Sequence, residues 1–467
     1  MGGRLMAEIA SSTRADVVIV GGGFSAACLA IQIIRQSGGT LAVVIVHRDP
    51  GLGRGVAYRT DCDAHILNVP VARMSMFDDE PKHFLEWASK NHQFEGHQFI
   101  PRRIYGEYIE DCFARATFGS SEGIVERIHD VAKALVPDQD GVAIQLGSGR
   151  SILGRVVVLA IGNSPPASPP CFAALGPHRY KPNAWASETP LKIGSLDSVL
   201  VVGTGLTAID QILALSRDDH AGTIYVLSRR GKLPALHAPT APWPSDWAGD
   251  LPADIRSIFR VVRNQVQLAI AAGADWRSVI DSLRHETPRI WRSLPPEEKM
   301  RFIRHARPYW EIARHRIPVS THAELERLML AGRMVMLSGR IGTATELEDC
   351  IEVTYTERDT CESKSLRVDR VINCTGPGTV TRVKDELLAA LLDHNLARLD
   401  CLGLGIETGS DGAVIDADGN PSDRIFAIGP VRKASLWEST AVPEIRVQAK
   451  ALAGLLVAQY SLEPNCQ

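Results

Sequence analysis

"VLVVGTGLTAID" at residues 199–210 reads as a buried strand that runs through a glycine turn into a helix. The same pattern stands earlier, as "DVVIVGGGFSAACLA" at residues 16–30. In each copy an apolar run precedes G-x-G-x-x-A and an apolar helical stretch follows. Glycines at those positions permit a tight turn and close backbone approach. The helix N-terminus then offers N–H groups and a partial positive charge to a pyrophosphate. The first copy is a complete βαβ unit. A strand Asp16–Val20 leads through Gly21, Gly23 and Ala26 into a helix to Ile34, and a second apolar run "LAVVIV" ends at His47-Arg48-Asp49. A glycine-rich turn that holds nothing is the alternative, and the complete βαβ setting argues against it.

The second unit runs from Ser198 through Gly203, Gly205 and Ala208 to the strand "TIYVLSRRG". That strand ends in Ser228-Arg229-Arg230, where an NAD site would carry an acid for the ribose 2′-hydroxyl. Arginine there accommodates a 2′-phosphate, which points to NADPH rather than NADH. Two solvated arginines at a strand end are the plain alternative.

Composition is compatible with this. A chain of 467 residues is too long for one core and suggests two or three domains. With 45% apolar and 22% charged residues and a formal net charge of −3, nothing draws the chain towards nucleic acid or anionic membrane. No apolar run approaches the ~20 residues of a membrane helix, and the expectation is a soluble, cytoplasmic protein. Residues 1–14 lack the apolar core of a signal peptide and read as a flexible leader. Nine cysteines are scattered without a C-x-x-C or zinc-ligand spacing, so neither a dithiol redox centre nor a metal is expected.

Between the two fingerprints lies a long segment ending in "FIPRRIYGEYIEDCF" (99–113), then alternating apolar residues with turns at 138–141 and 147–149, then a Pro-rich linker "NSPPASPPCF". Beyond the second fingerprint, residues of about 252–332 read as amphipathic helices, with Thr321 and Glu324 spaced as a capping box. This insert is dense in basic residues, including Arg304, His305, Arg314, His315 and Arg316. Most such side chains are solvated faces; a cluster can also hold an anion. Two strands end alike, in "LAIGNSPP" and "NCTGPG", and the chain closes with "FAIGP" and a helix starting near Val442–Pro443.

Together these features resemble the flavoprotein oxidoreductases with two dinucleotide-binding domains, over nearly the whole chain. Within that superfamily the segment at 99–108 is similar to N-hydroxylating flavoprotein monooxygenases, where F-x-P-R-x-E-[FY]-x-x-Y recurs. Phe99, Pro101, Arg102, Tyr105 and Tyr108 match, while Ile104 stands where an acid is expected. With "GRGVAY" and "HILNVP", the chain is most similar to a bacterial FAD/NAD(P)-binding protein family. His178 and Trp185 echo a Baeyer–Villiger monooxygenase motif whose glycine spacing is not kept.

The resemblance implies an α/β fold with two Rossmann-like domains. Residues 15–180 and 370–467 would bind FAD, and 181–369 would bind NADPH and carry the helical insertion. It assigns FAD to Gly21, Gly23, Phe24, Ser25 and Ala26, with His47, Asp49, Arg54, Asn68 and Met74. Arg102, Val131, Gly162, Gly429 and Val442 complete that set. NADPH falls to Gly203, Thr204, Gly205, Leu206 and Thr207, with Ser228, Arg229, Arg230 and Gly376. Lys82, Arg314 and Arg316 are candidates for the substrate, Arg314 and Arg316 as ligands of a carboxylate. The implied function is an NADPH-consuming, FAD-dependent monooxygenase that places one atom of O2 on the primary amine of a small amino-acid-like substrate. A flavin oxidoreductase without oxygen insertion and a non-catalytic FAD/NADPH-binding sensor are the alternatives. No catalytic side chain is named, because the cofactor carries that chemistry. Two departures stand out: His47 where the ribose-binding acid is usual, and Gly429-Pro430 where disulfide reductases have Gly-Asp.

Overall fold

The computed structural model describes residues 13–460 except 50, 119–123, 187–190, 245, 246, 248, 250 and 379–384. The first strand, Thr13–Val20 (β1), has no polar side chain after Asp16 and is buried from Val17 onward on both faces. That is the signature of a parallel strand covered on either side. It feeds helix Phe24–Ser37 (α1), which stops at Gly38 in the left-handed region (φ +61°), and then strand Val43–His47 (β2). Helices His83–His92 (α2) and Arg102–Thr117 (α3) follow. In α3 the buried residues Ile104, Tyr105, Tyr108, Ile109 and Cys112 recur at helical spacing, and this stripe packs on α1. Strand Val125–His129 (β3) pairs with β2. The hairpin Ala132–Pro137 (β4) and Val142–Leu146 (β5) turns at the expected glycines into Ser151–Leu159 (β6), which lies parallel to β1 with Val17 beside Val156.

The second sheet repeats this plan. Tyr180–Lys181 (β7), Val199–Val202 (β8), helix Leu206–Arg217 (α4) and Ile224–Ser228 (β9) come first. The insert then supplies helices Ile255–Ala271 (α5), Trp276–Ser282 (α6), Thr287–Ser293 (α7), Pro296–Arg301 (α8) and Arg307–Arg314 (α9). Helix Val319–Leu330 (α10) leads into the long strand Met334–Glu346 (β10), followed by Ile351–Glu357 (β11), Ser363–Val368 (β12) and Arg370–Asn373 (β13). The order is β12-β11-β10-β9-β8-β13-β7, parallel from β10 to β7. The chain then returns to the first sheet through helix Glu386–Asp393 (α11), strands Ala413–Ile415 (β14) and Pro421–Ala427 (β15), and the closing helix Val442–Tyr460 (α12). Helix α12 lies against α1, so α1 is enclosed between the sheet and α12, and every residue from Phe24 to Ile34 is buried. Among the described residues no helix is long and apolar enough to cross a membrane.

Four expectations are corrected by this geometry. Arg370–Asn373 belongs to the second sheet, paired with β8, so the return to the first domain falls after residue 373 rather than at 370. The second domain also begins one residue earlier than expected, because Tyr180 already pairs with Val371 in β7. Thr13 and Arg14, assigned to the leader, are already strand; residues 1–12 lie outside the described set. Thr321 caps nothing. Helix α10 starts two residues before it, after Pro318, whose fixed φ of −59° sets the entry, and Glu324 pairs with Arg327 instead.

Candidate functional site

The two fingerprints fold into the same local object. Gly21 (φ +123°) and Gly203 (φ +117°) lie in the left-handed region, and each is pressed against the end of a neighbouring strand. A Cβ on Gly21 would sit 2.2 Å from the Ala160 carbonyl oxygen, and one on Gly203 would sit 2.4 Å from that of Cys374. Only glycine meets both conditions. Gly23 and Gly205 are the N-caps of α1 and α4, and neither helix has a side-chain cap or an acid in its first turn. The first helical bonds are donated by Ala27 to Gly23 and by Ile209 to Gly205. Phe24–Ala26 and Leu206–Ala208 therefore present N–H groups with no helical acceptor, the arrangement that binds a pyrophosphate. Gly162 (φ +75°) and Gly376 (φ +82°) follow the two exit strands, each facing open space.

The C-terminal motif closes on the first of them. Gly429 (φ +80°) lies so near α1 that a Cβ would stand 2.3 Å from Ser25 Oγ, and its N–H donates to Gln448 of α12 at 3.0 Å. Val442, buried at the first position of α12, brings that helix N-terminus to the same side. These residues would hold a flavin nucleotide: the free N–H groups of α1 suit its phosphates, and Gly429 leaves room beside Ser25 where a side chain would clash.

Other expected FAD residues are brought near but already engaged. His47 is buried under Gly22, and its Nδ1 lies 2.7 Å from the Asp49 carbonyl oxygen. The Asp49 carboxylate pairs with Arg59 at 3.0 Å, and Arg59 also donates to the Trp185 carbonyl. Arg54 makes a two-pronged pair with Glu110, at 2.7 Å on both sides. Met74 is core. Val131 has its N–H on Asp130 and its carbonyl on Gly147, leaving only its side chain exposed.

Arg102 does something the sequence alone did not announce. Its Nη2 donates to Asp210 Oδ2 at 3.1 Å, across the boundary between the domains, with both side chains nearly buried. Asp210 is the last residue of the second fingerprint stretch and sits in α4 beside Leu206, Ile209 and Leu213. Burial pushes its carboxyl up to about 6, against the pull of Arg102. Asn68 and Arg102 line a narrow gap against Leu206, Ile209 and Asp210. His65 hydrogen-bonds Thr60 at 2.6 Å and packs edge-on to Trp185 (5.2 Å); burial, with Arg102 nearby, pushes its pKa down to about 4. Trp185 Nε1 reaches Thr207 at 3.4 Å, so the linker between the domains touches the second glycine turn. His178 is exposed and pairs with Glu346, away from this cluster. An acid on the apolar stripe of α4 was the available signal for Asp210.

At the other end of the second site, Ser228 Oγ accepts from Thr204 Oγ1 (3.2 Å) and from the Gly231 N–H (3.0 Å). This ties the strand end to the glycine turn, with Arg229 exposed and Arg230 half-buried beside it.

The substrate candidates are not brought together. Arg314 is buried with Glu444 (3.4 Å) and Glu438 (3.7 Å), and Arg316 is buried on Asp281. In this structure the carboxylates these guanidiniums hold are the chain's own. Lys82 is exposed at the start of α2, next to a loop whose Asp78, Asp79 and Glu80 pair with Arg446 and Lys450 of α12 and Arg35 of α1. The insert is nevertheless fastened to the flavin side. Arg284 forks onto Glu444, and Trp291 donates to the Ala434 carbonyl (2.8 Å) and packs against Trp437 with the rings tilted (centroids 4.7 Å apart). Burial opposes ionisation of Glu444, but Arg284 and Arg314 outweigh it and hold its pKa below the usual range.

With this geometry in view, the comparisons are specific about fold. Residues 18–164 match the model of the FAD-NAD(P)-binding family. The chain shares the two-domain fold of amine monooxygenases. The ornithine N-hydroxylase of Kutzneria sp. 744, solved with reduced FAD, NADP+ and L-ornithine, superposes with a TM-score of 0.63 at 16% identity, covering 96% of this chain and 99% of that one. L-lysine 6-monooxygenase from Pseudomonas syringae gives 0.66 at 18% identity, over 96% and 100%. The cadaverine monooxygenase of Erwinia amylovora, solved with FAD, gives 0.66 at 13% identity, over 97% and 96%. A search of curated sequences finds no match. The expected α/β architecture with two Rossmann-like domains is thus borne out, and the resemblance drawn from the segment at 99–108 holds at the level of the fold.

Proposed function

We propose that this chain is an FAD-dependent, NADPH-consuming monooxygenase that N-hydroxylates a primary amine. The observation that carries the reading is the pair of uncapped, glycine-lined helix N-termini at Gly21–Ala26 and Gly203–Ala208, set in a fold that matches amine monooxygenases along its length. When bound, FAD accepts hydride from NADPH and activates O2. The protein's part is to hold and to exclude. The N–H groups of Phe24–Ala26 and the turn at Gly162 take the flavin nucleotide, with Gly429 and the start of α12 beside the ring. Those of Leu206–Ala208 and the turn at Gly376 take NADPH, with Arg230 at its 2′-phosphate. Arg102, Asp210, His65 and Trp185 pack together at the boundary between the two sites, largely out of solvent, which suits chemistry that water would divert.

Ornithine, lysine and cadaverine, named for the three matched enzymes, share a primary amine, and cadaverine has no carboxylate. In this chain Arg314 and Arg316 are committed to internal acids, so the reading rests on the amine and assigns no carboxylate clamp. The test is to supply NADPH, O2 and each of these amines to the FAD-loaded protein and measure hydroxylamine formed per NADPH consumed. Hydroxylamine approaching one per NADPH with any primary amine supports the reading. NADPH consumption that yields only peroxide with all of them leaves a flavin oxidoreductase. No consumption at all leaves a binding protein.

A further inference from the structure

A minimal dinucleotide-binding domain needs neither a helical insert nor a hairpin beyond its last parallel strand. This domain has both, and they converge on one corner. Strand β10 pairs with β9 only as far as Ser338, opposite Ser228, and from Gly339 onward pairs with β11. The end of β11 is thereby carried back to the end of β9. Arg358, the next residue, donates its backbone N–H to the Ser338 carbonyl at 2.9 Å. Gly231 (φ +56°), directly after Arg230, packs so tightly on the same residue that a Cβ would lie 2.9 Å from Ser338 Cβ. From the other side, helix α9 of the insert lays Tyr309 over Arg230, with the guanidinium carbon 5.0 Å from the ring centroid. Arg230 and Arg358 together hold the Tyr309 phenol below its usual pKa, their positive charges favouring the ionised oxygen. Arg230 Nε is closed off from water with no partner of its own.

Arg230 over the Tyr309 ring and Arg358 at the adjoining hairpin end place two guanidinium-bearing residues at one corner that, among the described residues, has no acid between them but a phenol. An anionic oxygen in that place would gain a charge-assisted bond from each, roughly twice as strong as a neutral one. We propose that Arg358 joins Arg230 as a second guanidinium on the 2′-phosphate of NADPH, and that the Tyr309 hydroxyl marks the place a phosphate oxygen takes. The assignment rests on the NADPH reading above and deepens it. The hairpin supplies one charge and the insert supplies a wall that holds the other in position. Nicotinamide cofactor choice is then set by three separate chain segments rather than by the strand end alone.

The experiment measures binding, not turnover. The purified FAD-containing protein is titrated calorimetrically with 2′,5′-ADP and with 5′-AMP, which differ only in the 2′-phosphate. The intact protein prefers 2′,5′-ADP. Arg358→Ala lowers affinity for 2′,5′-ADP about ten-fold and leaves that for 5′-AMP unchanged. Arg358→Glu removes the preference. Tyr309→Phe, which keeps the ring, leaves it intact. Arg358 is exposed and its structural bond is made by the backbone, so thermal melting of these variants stays with the parent. A preference that survives Arg358→Ala overturns the assignment while the NADPH reading stands. An intact protein that binds both nucleotides equally overturns the NADPH reading and the assignment together.

Discussion

Asp210→Asn separates charge from shape at the boundary between the two domains. The asparagine Oδ1 still accepts from Arg102 Nη2, now 3.1 Å from the carboxylate, so packing is preserved and only ionisation is removed. In the native chain burial lifts this carboxyl from 3.8 to about 6. A folded-state pKa above the unfolded one means the folded form prefers the proton. The corresponding stability is fully present below 3.8 and is lost as pH rises through about 6. A difference of that size amounts to about 3 kcal/mol, all of which the asparagine variant escapes. Melting both proteins in urea at a series of pH values from about 4 to about 8 reads the effect directly. The variant should gain on the parent by about 3 kcal/mol between acid and neutral pH, with no further change above about pH 7. Curves that run parallel across the whole range would refute the claim that Asp210 is held at the boundary with a raised pKa.

Three further outcomes follow from the same geometry. Gly21→Ala forces a Cβ to 2.2 Å from the Ala160 carbonyl in a left-handed residue, so the variant should purify without flavin, seen as loss of absorbance near ~450 nm while circular dichroism is retained. Gly203→Ala meets Cys374 in the same way and should abolish 2′,5′-ADP binding but keep the flavin. Trp291→Ala empties a buried site and strips the Ala434 carbonyl of its donor, costing about 3–5 kcal/mol and releasing the insert from the C-terminal motif; limited proteolysis should then cut the insert first.

Both glycine turns were legible because their requirements are local: an all-apolar strand, glycines where φ is positive, and an apolar helix. The strand at 370–373 was legible as a strand and misplaced between sheets. Its exit, "NCTGPG", looks like that of β6, and pairing with β8 rather than β1 depends on contacts far away in sequence. Arg314 and Arg316 show a different limit. Charge and helical spacing suggested an anion, but the anions are Glu438, Glu444 and Asp281, up to 130 residues off. Arg102 was flagged by its motif, but Asp210 was not singled out within the fingerprint, and their pairing, 108 residues apart, is a fact of domain docking. Thr321 fitted a capping box in letters, and the proline three residues before it decided the helix start.

The most direct test of the central claim, that two nucleotide sites in one chain serve a single hydride relay, is anaerobic addition of NADPH to the FAD-loaded protein while following flavin absorbance near ~450 nm. Rapid bleaching with NADPH and much slower bleaching with NADH is the expected result. Flavin that stays oxidised under saturating NADPH would contradict it.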